Sequence, residues 1–311
     1  MRVPPVVLSI AGYDPSSGAG ITADIKTAAS LGCYAVTCIT ALTVQSTQGV
    51  FGVQPLEPEL VARTLEALAD DVEIAAVRLG MLGSGAVAAA VAGFLGSRRL
   101  PHVVLDPVIR SSSGAALLDA HGGEVLRTRL MPLCAVVTPN VDEAAVLAGA
   151  EPIASGTSWD SALPRIREMA AGLHTLGAKA VVITGGHLQS ANDYVSTSPR
   201  ATEAEVPQGL KPRFGATSFG AARSRAPSEP ARDVPVGDMA SLAYEEIILG
   251  ERLESRSTHG TGCAFATALA CRLALGDTLP EAVRAAKEYV RKAMLAAYPL
   301  GKGIGPLNHF G

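Results

Sequence analysis

The run Ser257-Thr258-His259-Gly260-Thr261-Gly262-Cys263 places a thiol directly behind a glycine turn, and an alanine-rich segment over 264–271 follows it. Glycines at 260 and 262 let backbone N–H groups crowd together without Cβ clashes. The first N–H groups of the helix that follows have no partner inside it. Together with the helix dipole they suit a phosphate, or the charge of a transferring phosphoryl group. At that first turn the dipole is also expected to favour a Cys263 thiolate over a thiol. A plain helix start with a packing cysteine has the same pattern, so the turn gains meaning only from what meets it.

Two carboxylates are placed to meet it. Asp106 ends the strand-like run 101–106 (PHVVLD), and Glu143 opens a helix within Asn140-Val141-Asp142-Glu143. Either could hold Mg²⁺ directly or through water, as phosphoryl transfer needs. Taken singly, Glu143 also suits a first-turn helix charge, and Asp106 before Pro107 a turn. His187 and His259 adjoin glycines near the same expected edge, where phosphate contact is open to them. HExxH, CxxC, G-x-S-x-G, G-x-G-x-x-G and G-x-x-x-x-G-K-[ST] are all absent. Metal-hydrolase, dinucleotide-fold and P-loop readings therefore have little support.

The elements that must position these groups alternate. Residues 6–12 (VVLSIAG) read as a buried strand, a turn-rich loop follows, and 21–31 has helical spacing with Gly32 as its C-cap. Residues 34–45 and 50–53 read as extended, 58–70 as helix, and 77–82 (VRLGML) as strand. A helix to about 95 comes next, then strand 101–106, a serine-bearing loop over 107–114, strand 135–140 and helix 141–148. Helix 165–176, strand 178–186 and helix 279–298 complete the pattern, with a hairpin across Gly250 as one reading of 244–254. Strands alternating with helices predict a mostly parallel sheet covered on both faces. Such a sheet brings Gly12, Gln45, Met81, Asp106, Asn140, Gly185 and Gly186 to one edge. Residues 190–241, rich in Pro, Ser, Ala, Gly and Arg, read as a flexible surface insertion.

Composition agrees. Of 311 residues, 48% are apolar but only 4% aromatic, so the core must be aliphatic. A net charge of −3 with no Lys/Arg cluster gives no footprint for nucleic acid. Five cysteines without paired spacing argue for a reducing compartment, and no run approaches a membrane span; a cytoplasmic location is expected.

Eight segments resemble the hydroxymethylpyrimidine and phosphomethylpyrimidine kinases of thiamin biosynthesis, within the ribokinase-like superfamily. They are AGYDPSSGAGITADIKT (11–27), ITALTVQSTQGV (39–50), RLGML (78–82), VVLDPV (103–108), TPNVDEA (138–144), TGGH (184–187), STHGTGCAFATALA (257–270) and GKGIGPLNHF (301–310). The resemblance implies a single three-layer α/β/α domain over 1–311, a homodimer, and small-molecule partners only. It implies ATP- and Mg²⁺-dependent phosphorylation of 4-amino-5-hydroxymethyl-2-methylpyrimidine, then of its monophosphate. Carried over, Gly12, Ala19, Asp24, Gln45, Met81 and Val108 surround the pyrimidine, with Asp24 and Gln45 as its polar readers. Asp106, Asn140, Thr184, Gly186 and His259 serve ATP, and Asp106 and Glu143 serve Mg²⁺. Gly260, Thr261 and Gly262 form the anion hole, and Cys263 accepts the substrate hydroxyl proton.

Two departures stand out. Many such kinases carry Lys where Thr184 precedes Gly-Gly-His, so its phosphate contact is either lost or replaced, with Lys179 or the insertion as sources of a replacement. Tyr13 stands where Ser is common, at the pocket rim. Bacterial pyridoxal kinases share the glycine-turn cysteine and are the nearest rival, but often carry Met at the position of Gln45. A non-catalytic pyrimidine-binding protein would have no need of Asp106, Glu143 and Cys263 together.

Overall fold

Short β-branched runs become strands and alanine- or leucine-rich runs become helices in the computed structural model, which describes residues 3–111, 114–198 and 244–310. The strands are β1 (Val6–Tyr13), β2 (Tyr34–Ser46), β3 (Gly49–Pro55), β4 (Ile74–Leu79), β5 (Val103–Leu105), β6 (Val136–Val137), β7 (Ala180–Thr184), β8 (Asp193–Thr197) and β9 (Tyr244–Ile248). The helices are α1 (Gly20–Ser30), α2 (Pro58–Asp71), α3 (Gly85–Ser97), α4 (Ala120–Val125), α5 (Val141–Ala148), α6 (Trp159–Thr175), α7 (Thr261–Ala274) and α8 (Leu279–Leu295). The strands form one sheet in the order β3-β2-β1-β4-β5-β6-β7-β8-β9. Pairing is parallel from β2 through β7 and antiparallel at β2–β3, β7–β8 and β8–β9.

Alternation along the strands divides the core in two. Leu8, Ile10, Val77, Leu79 and Leu105 face a cluster completed by α2, α3, α5 and α6. Val7, Ala76, Val104 and Val136 face a second cluster completed by α1, α7 and α8. The expected three-layer α/β/α arrangement is thus present. Its parallel strands deliver their carboxyl ends to one edge, where the chemistry is concentrated.

Several sequence expectations need correction. The run 77–82 stops being strand at Leu79, and Gly80 beyond it lies against the Arg78 guanidinium, where a Cβ would be 1.8 Å from Nη1. Met81 and Leu82 therefore hang beyond the strand. Asp193–Thr197 is not surface insertion but a buried strand, paired antiparallel with β7 on one side and β9 on the other. Residues 244–248 form β9, and no strand follows Gly250, so the hairpin is not made there. The remainder of the expected insertion, from 199 onward, lies outside the described residues, as do Ser112 and Ser113.

The carboxyl-terminal segment docks back onto α1 and α8. His309 is buried, its Nδ1 3.2 Å from Thr27 Oγ1 and 3.0 Å from the Tyr289 hydroxyl. Burial, helped by Lys26, pushes the imidazole down to about 4. The unfolded chain then binds a proton below its ordinary value of about 6.5 that the folded chain refuses. Stability is accordingly lost as pH falls from 6.5 toward 4. We expect urea titrations of the wild type and His309→Gln to diverge between pH 7 and pH 5, the wild type losing about 2 kcal/mol more. Parallel losses would show that His309 titrates normally.

Candidate active site

The loop after β1 is organised by one carboxylate. Asp14 Oδ1 accepts from the Ser16 amide at 2.8 Å and the Ser16 hydroxyl at 2.7 Å. Its Oδ2 accepts from the amides of Gly18 at 3.2 Å and Ala19 at 2.9 Å, and from His259 Nε2 at 2.8 Å. Burial alone would raise the Asp14 carboxyl, but the bonds from His259 and Ser16 outweigh it and hold it below its ordinary value. This loop and the glycine turn interlock. A Cβ at Gly18 would fall 2.2 Å from His259 Cδ2, and one at Gly260 1.9 Å from the Gly18 carbonyl oxygen. Gly260, with φ of +84°, is the N-cap of α7, and no side chain caps that helix. The Thr261 N–H turns back to the Thr258 carbonyl at 3.4 Å, and the N–H groups of Gly262 and Cys263 are left to the cavity that Gly260, Thr261, Gly262 and Cys263 line.

Beneath the turn lies a buried charge cluster that sequence reasoning missed in part. Arg78 is fully buried on β4, with Nη2 donating to Asp106 Oδ2 at 2.6 Å and Nη1 3.3 Å from Asp24 Oδ2. The available signal was an arginine inside an otherwise apolar strand, which demands buried acids as partners. Asp24 is a correction. Its carboxylate accepts from Ser9 Oγ at 2.5 Å and Thr267 Oγ1 at 2.6 Å, is fully buried, and does not line the cavity. It ties α1 to β1 and α7 rather than presenting an oxygen to a ligand. Burial raises its carboxyl despite the pull of Arg78.

Cys263 is a second correction. It keeps some surface toward the cavity, yet it stands beside Asp106 and Arg78. Burial pushes its thiol up to about 12; Arg78 opposes the shift, while Asp106 and Asp24 add to it. The helix terminus does not overcome desolvation and two neighbouring carboxylates, so the resting group is a thiol.

Asn140 and Glu143 form a reciprocal capping box on α5: Glu143 N donates to Asn140 Oδ1 at 2.9 Å, and Asn140 N donates to Glu143 Oε2 at 3.0 Å. Burial, then the Asp106 charge, push Glu143 up to about 8. Asp106 is likewise raised by burial, against Arg78. Two carboxylates lining one cavity, the charge of Asp106 raising Glu143, are a donor set that fits a hard divalent cation. Among the described residues no three acid, histidine or cysteine side chains converge, so water and phosphate oxygens would have to complete its shell.

The cavity, about 1770 Å³, runs from the β1 and β2 ends to α8. Its lining includes Gly12, Ala19, Gln45, Met81 and Val108. Met81 packs with Ala41, Leu117, Val50, Val53 and Val108 as an apolar wall. Gly12 lies against it: a Cβ there would be 2.9 Å from Met81 Sδ and would push the thioether aside. It is also lined by Asn140, Thr184, Gly186 and His187, the last bonded through Nδ1 to Asp142 Oδ2 at 2.8 Å. Arg252 lines it too, donating to the Leu188 carbonyl at 2.6 Å, and Lys287 pairs with Asp193 at 2.6 Å. Lys179 sits before β7, away from the cavity, and cannot stand in for the lysine that Thr184 replaces. His259 also departs from expectation: its Nε2 is engaged by Asp14 and lies 3.1 Å from Gln45 Nε2, on the Gln45 side rather than among the expected phosphate contacts.

Comparison with known proteins agrees with this fold. Residues 14–213 and 233–308 match the family model described as phosphomethylpyrimidine kinase. The hydroxymethylpyrimidine/phosphomethylpyrimidine kinase of Streptomyces coelicolor is 38% identical over 306 residues, covering 98% of this chain and 94% of that protein. The thiamine biosynthesis bifunctional protein ThiED of Geobacter sulfurreducens is 39% identical over 307 residues, covering 97% of this chain. This chain spans about half of that bifunctional protein, 52% of its length. Among solved structures, the phosphomethylpyrimidine kinase of Clostridium difficile superposes with a TM-score of 0.67 at 28% identity, covering 93% of this chain and 99% of that one. An ADP complex of Bacillus subtilis pyridoxal kinase superposes with a TM-score of 0.74 at 28% identity, covering 98% and 97%.

Proposed function

This chain belongs to the phosphomethylpyrimidine kinase family, and from that premise we propose how its cavity works. It is a phosphotransferase of thiamin biosynthesis. It moves the γ-phosphoryl of ATP to the hydroxymethyl oxygen of 4-amino-5-hydroxymethyl-2-methylpyrimidine, and phosphorylates the monophosphate to the diphosphate. The observation that carries the reading is one cavity shared by three sets of residues. The Gln45 and Met81 pocket, the Asp106, Glu143 and Asn140 group and the Gly260–Cys263 turn all line it.

The apolar wall of Met81 and Val108 holds the ring, and Gln45 reads its polar edge. The phosphates lie along Asn140, Thr184 and Gly186, with Arg252 and Lys287 supplying positive charge. Asp106 and Glu143 would hold Mg²⁺, which neutralises charge on the phosphate oxygens when bound. The uncapped first turn of α7 faces the phosphoryl group as its charge spreads. Cys263 meets the hydroxyl. Because the thiol is protonated at neutral pH, it orients the hydroxyl rather than taking its proton, which passes late to an oxygen of the transferred phosphoryl group, as a loose transition state permits. Positioning and the anion turn then supply most of the acceleration.

Leu42, Val44 and Phe51 expose apolar side chains on β2 and β3, and this extension is the face we assign to a homodimer. A single-chain mass by sedimentation would dispose of that assignment. Five free cysteines suit a cytoplasmic location.

Coupled ADP release with Mg·ATP tests the reaction, with hydroxymethylpyrimidine, its monophosphate and pyridoxal offered separately. Turnover on both pyrimidines with pyridoxal slow is expected. The likeness to Bacillus subtilis pyridoxal kinase makes the opposite order the informative alternative. Preference for pyridoxal would move the activity to vitamin B6 salvage and leave Gln45 without its assigned role.

A further inference from the structure

Gln45 is flanked by two groups whose hydrogen-bonding roles are fixed by their other partners. His259 Nε2 lies 2.8 Å from Asp14 Oδ2, and an ionised carboxylate can only accept. That nitrogen therefore carries a hydrogen, in the neutral Nε2–H tautomer and in the imidazolium alike. On the other flank, the Thr43 hydroxyl donates to the Tyr13 carbonyl at 2.9 Å, and it has one proton to give. Toward Gln45 it can only accept.

The amide atom placed 3.1 Å from His259 is Nε2, and the atom placed 3.1 Å from Thr43 is Oε1. In that orientation N–H faces N–H, and one hydroxyl proton must serve two acceptors. Turning the amide by 180° removes the N–H to N–H contact, and oxygen and nitrogen of an amide are told apart only by such networks. Oε1 then shares the single Nε2–H of His259 with Asp14 Oδ2, as the longer branch at 3.1 Å, and the NH₂ group donates to Thr43. One amide hydrogen and one carbonyl lone pair are left for the cavity that Gln45 lines. That donor–acceptor pair matches a ring nitrogen beside an exocyclic amine.

We propose that His259 is a positioning residue for substrate recognition: held by Asp14, its Nε2–H fixes the direction of the Gln45 amide and so selects an aminopyrimidine edge. The proposal rests on the pyrimidine reading above. It also joins recognition to the anion turn. The backbone of His259 is anchored to Gly305 through a 3.2 Å bond, and its ring fills the space over Gly18. The imidazole that reads in sequence as a phosphate ligand serves the other substrate.

Calorimetric titration with 4-amino-5-hydroxymethyl-2-methylpyrimidine, without nucleotide or Mg²⁺, tests it. His259→Phe should weaken binding about tenfold, the scale of one buried hydrogen-bond network set wrong. It should also narrow the preference over the analogue lacking the 4-amino group. His259→Gln, whose amide N–H reaches the same place, should restore most of the affinity. Unchanged pyrimidine binding in His259→Phe, with the KM for ATP raised instead, would overturn the proposal. If His259→Phe does not fold, the two-bond ¹⁵N–¹H spectrum of the wild type decides. Protonated Nε2 at neutral pH is expected, and a bare Nε2 overturns the assignment. Wild-type protein that binds no pyrimidine would instead defeat the functional reading, and the nitrogen spectrum would still report on the amide.

Discussion

Cys263→Ala should lower kcat by about a hundred- to a thousandfold, the usual weight of one lost donor at the reacting atoms, with KM for the pyrimidine nearly unchanged. Alanine suits the first turn of α7, and the backbone that binds charge stays in place, so folding and ground-state binding should survive. The thiol's environment sharpens the expectation. Held at about 12 by burial, against Arg78, the sulfur is protonated across the physiological range. The kcat–pH profile of the wild type should therefore show no limb near pH 8 that vanishes in the variant. Such a limb would mean that bound ligands bring the thiol down by several pH units and make it a base in the ordinary sense. Equal turnover in Cys263→Ala would remove the thiol from the reaction and leave the anion turn as the catalytic device.

Which parts of this site were legible in the sequence follows from how local their causes are. Gly12, Gln45, Asp106 and Asn140 could be placed on one edge because each ends a β-branched run, and parallel strands align their carboxyl ends. The anion turn was legible because Gly260 and Gly262 precede a strong helix former. Asp193–Thr197 (DYVST) escaped notice because its role as a strand depends on β7 and β9, and β9 begins only at Tyr244. Asp24 and Cys263 were misread for a shared reason. The family resemblance put Asp24 at the pyrimidine and the helix start put Cys263 at the turn, but burial decides what each presents: Asp24 is fully enclosed, and the Cys263 thiol is desolvated. His259 lay in the motif, yet its direction was set by Asp14, far away in sequence.

Arg78→Met should be the most destabilising single substitution at the site. Arg78 lies between Asp24 and Asp106, all three buried, so removing the cation leaves two carboxylates without their charge partner. Breaking a buried pair in this way costs about 3–5 kcal/mol, and a scan should show Tm lower by roughly 5–15 °C. Adding Asp24→Asn tests the cause, because a neutral amide can keep the Ser9 and Thr267 contacts without needing a counter-charge. The double variant should regain a measurable part of the loss. If it is no more stable than Arg78→Met, the damage lies in packing around the lost guanidinium rather than in charge. Activity separates a further role. Arg78 occupies Asp106 Oδ2, while Oδ1 lies toward the anion turn, 3.9 Å from where a Cβ of residue 262 would be. Freed from Arg78, the Asp106 carboxylate can rotate, so the refolded double variant should still lose turnover more than pyrimidine affinity. A double variant with wild-type kcat would show that Asp106 keeps its orientation without Arg78, and that the buried arginine serves the fold alone.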